Sequence, residues 1–354
     1  MSSSNPSKQE KISQFNPDGV GSTTSGIFGL PFEPEEADVV IIPVPWDVTV
    51  SNLEGTCKGP ENVFEQSSQI DLFDEFVADP WKAGIAMLPI PDKYVKLNSQ
   101  LRPKALQCIQ WLEEQSGDST GQSLHKLQQD VNEGCAKLEQ WVFETATGLL
   151  QQNKLAVVLG GDHSSPLGLM RALSHRYEDF GVLHIDAHAD LRPAYEGFVH
   201  SHASIMYNAM ALPQISKFVQ VGLRDYCSQE QQLMANNPQR FSPYFARQLH
   251  QRLFEGQTWK QICLEMIAQL PQNVYISFDI DGLDPAWCPS TGTPVPGGLS
   301  YNQVLYLFEL LSLSGKTIVG FDLVETGPDT LDGIISCRIL YRTLAMMLKT
   351  QNRI

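Results

Sequence analysis

Val274-Tyr275-Ile276-Ser277-Phe278-Asp279-Ile280-Asp281 is the stretch that decides the fold. Its first five residues run without polar alternation and then end in two carboxylates spaced i, i+2. A strand apolar on both faces belongs in a parallel sheet covered by helices on both sides. Two carboxylates at the end of such a strand repel each other, and they share a proton unless a cation neutralises them.

Outward from this stretch the same pattern recurs. Val39–Ile42, Leu155–Leu159, Val182–Ile185, Phe218–Val221 and Thr317–Phe321 are further short apolar runs. Segments of helical period or composition alternate with them, at about 123–152, 165–176, 257–269, 302–312 and 332–349. A βαβ series of this kind predicts an α/β fold: a single doubly wound domain whose central, mostly parallel sheet has helices on both faces. Residues 1–26, rich in Ser, Asn and Gly, read as a flexible N-terminal arm or a surface-wrapping tail, and 27–354 as the folded domain. The stretch 92–122 is less regular, contains Gly117-Asp118-Ser119-Thr120-Gly121, and reads as an insertion.

Two more acidic motifs follow predicted strands: Gly160-Gly161-Asp162-His163-Ser164 and Asp186-Ala187-His188-Ala189-Asp190. Ligands bind open α/β sheets at the carboxyl ends of their strands, so these distant residues can meet in one crevice. The first motif, taken alone, is equally a tight turn in which Asp162 or Ser164 caps the next helix. In the second, the i, i+2, i+4 spacing puts three ligands on one side of an extended segment. Together the three motifs can supply a six-residue cage of carboxylates and imidazoles, the composition of a site for two divalent ions such as Mn²⁺, Fe²⁺, Co²⁺, Ni²⁺ or Zn²⁺. The absence of a thiolate from this set disfavours a structural zinc ribbon. Asp284-Pro285, followed by Pro289-Ser290-Thr291-Gly292-Thr293-Pro294, is turn chemistry.

Composition narrows the class. With 354 residues and 42% hydrophobic content the chain can build a full core, and its formal net charge of −15 opposes binding to nucleic acid or an anionic membrane. The seven cysteines are scattered without a Cys-x-x-Cys pair, as expected of a reducing cytoplasm. Neither a signal-peptide pattern nor an apolar run of membrane-spanning length is present.

The three motifs, in this order, resemble those of the ureohydrolases, the arginase and agmatinase family, over about residues 38–345. The resemblance implies the arginase/deacetylase-like fold and a binuclear manganese site, with nickel as the alternative. His163, Asp186, Asp190 and Asp279 would hold one ion, and Asp186, His188, Asp279 and Asp281 the other. It also implies a water acidified by two ions as nucleophile, His202 as proton shuttle with His200 as competitor, and Glu325 as partner of the substrate guanidinium. Thr293 would line the pocket, and Asp225 would hold the substrate's far amine. His184, inside a strand, reads as a core or supporting histidine. The loop Leu191-Arg192-Pro193-Ala194-Tyr195-Glu196-Gly197 is similar to that of agmatinases and lacks the donor set that arginases direct at an α-carboxylate. Agmatine, giving putrescine and urea, is the first expected substrate, although Arg192 would suit a guanidino acid. Free guanidine, arginine and guanidinobutyrate are alternatives. Outside this class stand an inactive metal-binding regulator and an amide-cleaving deacetylase. A homo-oligomer, trimer or hexamer, is implied as well.

Overall fold

The computed structural model describes residues 6–114 and 122–354; the Gly117–Gly121 stretch of the expected insertion lies outside the described residues. Eight strands, β1 (Val39–Val44), β2 (Ile85–Met87), β3 (Leu155–Gly160), β4 (Phe180–Ile185), β5 (Ile215–Leu223), β6 (Phe241–Phe245), β7 (Asn273–Asp279) and β8 (Thr317–Val324), form one sheet. Every pairing is parallel and the spatial order is β2-β1-β3-β8-β7-β4-β5-β6. The single doubly wound α/β domain expected from the sequence is the one observed.

Eleven α-helices lie among the described residues: α1 (Lys8–Gln14), α2 (Gly59–Ser67), α3 (Asp92–Glu114), α4 (Gln122–Gln151), α5 (Leu167–Ser174), α6 (Ile205–Ala209), α7 (Ser228–Asn236), α8 (Ala246–Phe254), α9 (Trp259–Gln269), α10 (Tyr301–Leu313) and α11 (Thr330–Thr350). Odd and even residues of the strands feed two separate cores. Val39 and Ile41 of β1 belong to the core that also holds apolar side chains of α9, α10 and α11, whereas Val40 and Ile42 belong to the core with those of α3, α4 and α5. This two-sided burial is why the strands read as continuous apolar runs.

Three expectations need correction. The stretch 92–122 is not irregular over its described part: α3 runs through Pro103 to Glu114 and buries Tyr94, Leu101, Ala105, Cys108 and Ile109 at helical spacing. Its Lys, Gln and Asn content masks that period. The flexible arm expected at 1–26 contains α1, which opens with a Ser7/Glu10 capping box. There Lys8 Nζ donates to Ala83 O (2.6 Å) and pairs with Asp38 (3.2 Å), Lys11 pairs with Glu36, and the Phe15 ring lies 5.1 Å from that of Trp81. The surface-wrapping alternative describes this contact. Finally, β2 and β6 escape the sequence pattern because both are edge strands, one of three residues and the other carrying Pro243 where no partner needs its missing N–H.

Order in the sheet positions the site. β3, β8, β7 and β4 are adjacent, so the segments that leave their carboxyl ends converge although they are far apart in sequence. Gly161 is pinched at this edge: its N–H donates to Val44 O (2.8 Å), its carbonyl accepts from Glu325 N–H (2.7 Å), and a Cβ there would lie 1.9 Å from Trp46 O. Gly→Ala at a permissive position stabilises by reducing unfolded-chain entropy. Gly161→Ala should do the opposite and cost about 1–3 kcal/mol, as overpacking against fixed backbone does. The midpoint of urea unfolding measures it, and an unchanged midpoint would refute the close approach.

Candidate metal centre and active site

His163 leaves β3 two residues beyond a glycine pair and is buried. Its Nε2 lies 2.9 Å from Ser277 Oγ, and that hydroxyl gives its only hydrogen to Asp322 Oδ1 (3.2 Å). Tyr275 OH and Phe278 N–H also donate to Asp322. Ser277 therefore accepts from His163 Nε2–H, which turns the lone-pair-bearing Nδ1 into the site. That Nδ1 has no hydrogen-bond partner and faces Asp186 Oδ2 at 3.0 Å, Asp190 Oδ2 at 3.1 Å and Asp279 Oδ2 at 3.2 Å. One proton cannot satisfy three carboxylates at once; a cation among them can.

A second group adjoins the first. His188 Nδ1 is 3.1 Å from Asp281 Oδ2 and 3.4 Å from Asp186 Oδ1. Backbone amides aim the carboxylates: His188 N–H donates to Asp186 Oδ1 (2.6 Å), Asp281 N–H to Asp279 Oδ1 (2.8 Å) and Ala187 N–H to Asp281 Oδ1 (3.1 Å). Two geometric groups of potential ligands result, His163, His184, Asp186 and Asp190 in one, and Asp186, His188 and Asp281 in the other. The donor set fits two hard-to-borderline divalent ions, and Asp186 belongs to both groups. Asp190 adopts φ 55° and Glu325 φ 59°, the left-handed backbone that costs a non-glycine residue about 1–3 kcal/mol and clusters at functional sites.

Beside the cage is a cavity of about 170 Å³ lined by Ser51, His188, Asp190, Arg192, Tyr195, His202, Ala203, Asp225, Tyr226, Glu230 and Thr293. His202 is on this wall, with Ser51 Oγ 3.5 Å from its Nε2 and the Tyr195 ring edge-on at 6.1 Å. His200 is not among the lining residues. Burial lowers His202 to about 3, and the facing charges of His188 and His163 act in the same direction. Thr293 Oγ1 donates to Asp281 Oδ2 (3.1 Å). Asp225 is exposed at the cavity mouth. Glu325 is buried: Oε1 accepts from His163 N–H (2.9 Å), while Oε2 has no partner. Asp162 does not cap α5, since it accepts from Ser164 N–H (3.0 Å) and α5 starts at Leu167 without a side-chain cap. Asp284 is the turn residue expected, accepting from Ala286 and Gly297 N–H.

Sequence reasoning missed three parts of this wall. Glu230 accepts from Leu191 N–H (3.0 Å) and Cys227 N–H (2.8 Å), and its Oε2 lies 4.0 Å from Arg192 Nε. The readable signal is its place three residues after the α7 N-cap. Arg192 stacks over Tyr195 at 4.7 Å, so the charge that argued for a guanidino acid is engaged inside the wall. Ser51 sits on a loop clamped from α3: Arg102 donates to Val48 O (3.0 Å), Val50 O (2.6 Å) and Glu54, and Asn98 exchanges hydrogen bonds with Asp47. No local pattern announces that clamp.

A parallel α/β domain with a carboxylate–imidazole cage for two ions at the carboxyl edge of its sheet defines a binuclear metallohydrolase. The Arginase family model matches residues 37–346, and the chain belongs to the Arginase family. It is a metal-dependent hydrolase of guanidino C–N bonds, a ureohydrolase. It is 35% identical over 306 residues to N(1)-aminopropylagmatine ureohydrolase of Thermus thermophilus, covering 86% of this chain and 87% of that protein. Agmatinase of Halalkalibacterium halodurans is 34% identical over 180 residues, 51% of this chain and 58% of that one. Among solved structures, agmatine ureohydrolase of Thermoplasma volcanium superposes with TM-score 0.68 at 23% identity, covering 97% of this chain and 99% of that one. No helix among the described residues is long and apolar enough to cross a membrane.

The cage makes metal uptake pH-dependent with a definite sign. Burial opposes a charge on His163, but the carboxylates of Asp186, Asp190 and Asp279 facing its Nδ1 outweigh that and hold the imidazole well above its ordinary range. His188 is raised in the same way, chiefly by the charge of Asp281 against burial. Burial and the charge of Asp186 push Asp190 up to about 7. For all three the folded state binds protons more tightly than the unfolded one. Their contribution to the stability of the metal-free protein is full below each group's unfolded value and is lost as pH rises to and through the raised one. Ions replace the protons, so the rise in melting temperature on adding Mn²⁺ should be larger at about pH 8.5 than at about pH 6. A larger rise at the acid end would exclude this cage as the binding site.

Proposed function

We propose that the chain hydrolyses agmatine-type guanidines, compounds with a cationic amine tail and no carboxylate. Agmatine itself would yield putrescine and urea, and N(1)-aminopropylagmatine, named in the Thermus thermophilus relative, is the extended member of the same class. The observation that carries the reading is the charge of the cavity's outer wall: Asp225 and Glu230 are set against Arg192 alone. One negative charge is left over, which favours an ammonium tail.

His163, Asp186, Asp190 and Asp279 would hold one Mn²⁺ and Asp186, His188, Asp279 and Asp281 the other. When bound, such a pair supplies Lewis acidity and a water acidified toward neutrality. The rest falls to this chain's side chains. Glu325 Oε2, buried and without a partner, is a carboxylate oxygen free to take a guanidinium N–H. Thr293 lines the cavity beside the cage. His202, kept neutral by burial, would accept at Nε2 the proton given up by the attacking water and return it to the amine nitrogen as its bond to the guanidino carbon breaks. Asp225 takes the tail. The seven free cysteines, five of them buried, support a reducing, cytoplasmic setting.

Urea release by Mn²⁺-loaded protein across agmatine, N(1)-aminopropylagmatine, arginine, guanidinobutyrate and guanidine tests the substrate class, repeated with Ni²⁺. Highest kcat/KM should fall on the two amine-tailed compounds; a preference for guanidine or a guanidino acid would overturn the tail assignment. Asp225→Asn should raise KM for agmatine about fivefold, the value of a solvent-exposed ion pair of ~1 kcal/mol, and leave that for guanidine unchanged.

The catalytic assignments separate by variant. Asp279→Ala should lose bound metal by elemental analysis, and retention of two ions would sink its place in both ligand sets. His202→Ala should keep its metal while kcat drops by roughly 10²-fold or more, with His200→Ala near wild type. The reverse order would move the proton-transfer role to His200.

A further inference from the structure

Next to the cage and outside the cavity lining, two buried polar residues face each other across β4 and β5. His184 and Gln220 are register partners, and both are fully buried. His184 Nε2 is 2.7 Å from Asp186 Oδ2. Gln220 Nε2 is 3.0 Å from His184 Nδ1 and 2.9 Å from Ala189 O.

These contacts determine where the hydrogens lie. A backbone carbonyl only accepts, so the Gln220 group facing Ala189 O is its NH₂. The second hydrogen of that NH₂ points at His184 Nδ1, which must then accept. The ring proton is consequently on Nε2, and Nε2–H donates to Asp186 Oδ2. Gln220 Oε1 is left without a partner in the buried interior, so this amide is oriented by its donors alone. Position by itself would admit His184 as a ligand, because it belongs to the same close group as His163, Asp186 and Asp190. The hydrogen on its near nitrogen removes that option.

The carboxylate it holds is the one common to both ligand groups, facing His163 through Oδ2 and His188 through Oδ1. We propose that His184 and Gln220 form a hydrogen-bonded prop that fixes the orientation of Asp186 and thereby sets the affinity of both ion positions, His184 being a positioning residue and not a seventh ligand. This rests on the binuclear metal reading above. Gln220 acts through His184 by locking its tautomer, and His184 acts through Asp186.

The test uses the full-length protein, stripped and reloaded with Mn²⁺. Affinity is read by competition with a chelator, stoichiometry by elemental analysis, and folding by the melting temperature of the metal-free form. His184→Phe keeps a ring and removes the donor, and should weaken Mn²⁺ binding by roughly 10- to 100-fold. Gln220→Leu, which frees the tautomer, should weaken it by less. His184→Gln places an amide N–H where the ring N–H was and should recover most of the affinity, a rescue that a space-filling role would not predict. Should His184→Phe fail to fold, the Gln220→Leu and His184→Gln affinities still decide the matter. Wild-type affinity in His184→Phe, or in Gln220→Leu, would overturn the prop; so would loss of one ion in His184→Gln, which would make His184 a ligand. Wild-type protein that takes up no divalent ion would overturn the metal reading itself, and the prop with it.

Discussion

Mutual repulsion among four carboxylates confined to one sheet edge is the constraint on which the rest of the structure depends. Asp186, Asp190, Asp279 and Asp281 are all buried, and three of them present oxygens within 3.2 Å of His163 Nδ1. Such a cluster is stable only if its charge is answered, by protons or by cations. The surroundings are built to favour cations. Amide N–H groups take one oxygen of each of Asp186, Asp279 and Asp281, and Ser277 takes the far nitrogen of His163. What remains free points inward.

The scaffold tolerates this concentration of charge because it is rigid around it. Two apolar cores clamp the sheet from both faces. Loops at its carboxyl edge are tied to one another, as Gly161 is between Val44 and Glu325, and as the 47–54 loop is to α3. Left-handed backbone at Asp190 and Glu325 is held in that frame. Strain at these two residues and repulsion among the ligands are borne by ordinary packing elsewhere.

Function follows from an asymmetry between the cage and the cavity beside it. Two dications would bring the cage close to neutral, and under the proposed function a substrate tail would then feel mainly the outer wall, where Asp225 and Glu230 outnumber Arg192. The Arg192 charge, which from sequence argued for a carboxylate-bearing substrate, is stacked on Tyr195 and drawn toward Glu230. A residue's charge says little about selectivity until its partner is known.

The sequence by itself determined the α/β class and the parallel character of the sheet, and it pointed to six carboxylates and imidazoles that the fold gathers at one sheet edge. These are legible because strand burial and ligand spacing are local: continuous apolar runs and i, i+2 carboxylates express backbone geometry over a few residues. It missed the edge strands β2 and β6, and it misjudged α3, whose apolar stripe is diluted by Lys and Gln. Only the tertiary structure decided the order β3-β8-β7-β4, the cavity wall that includes His202 and Glu230 but not His200, and the tautomers of His163 and His184. Each of these depends on which distant strand lies next to which, and on where each hydrogen bond finds its acceptor. Contacts of that kind are settled by packing across the whole sheet and leave no period in the chain.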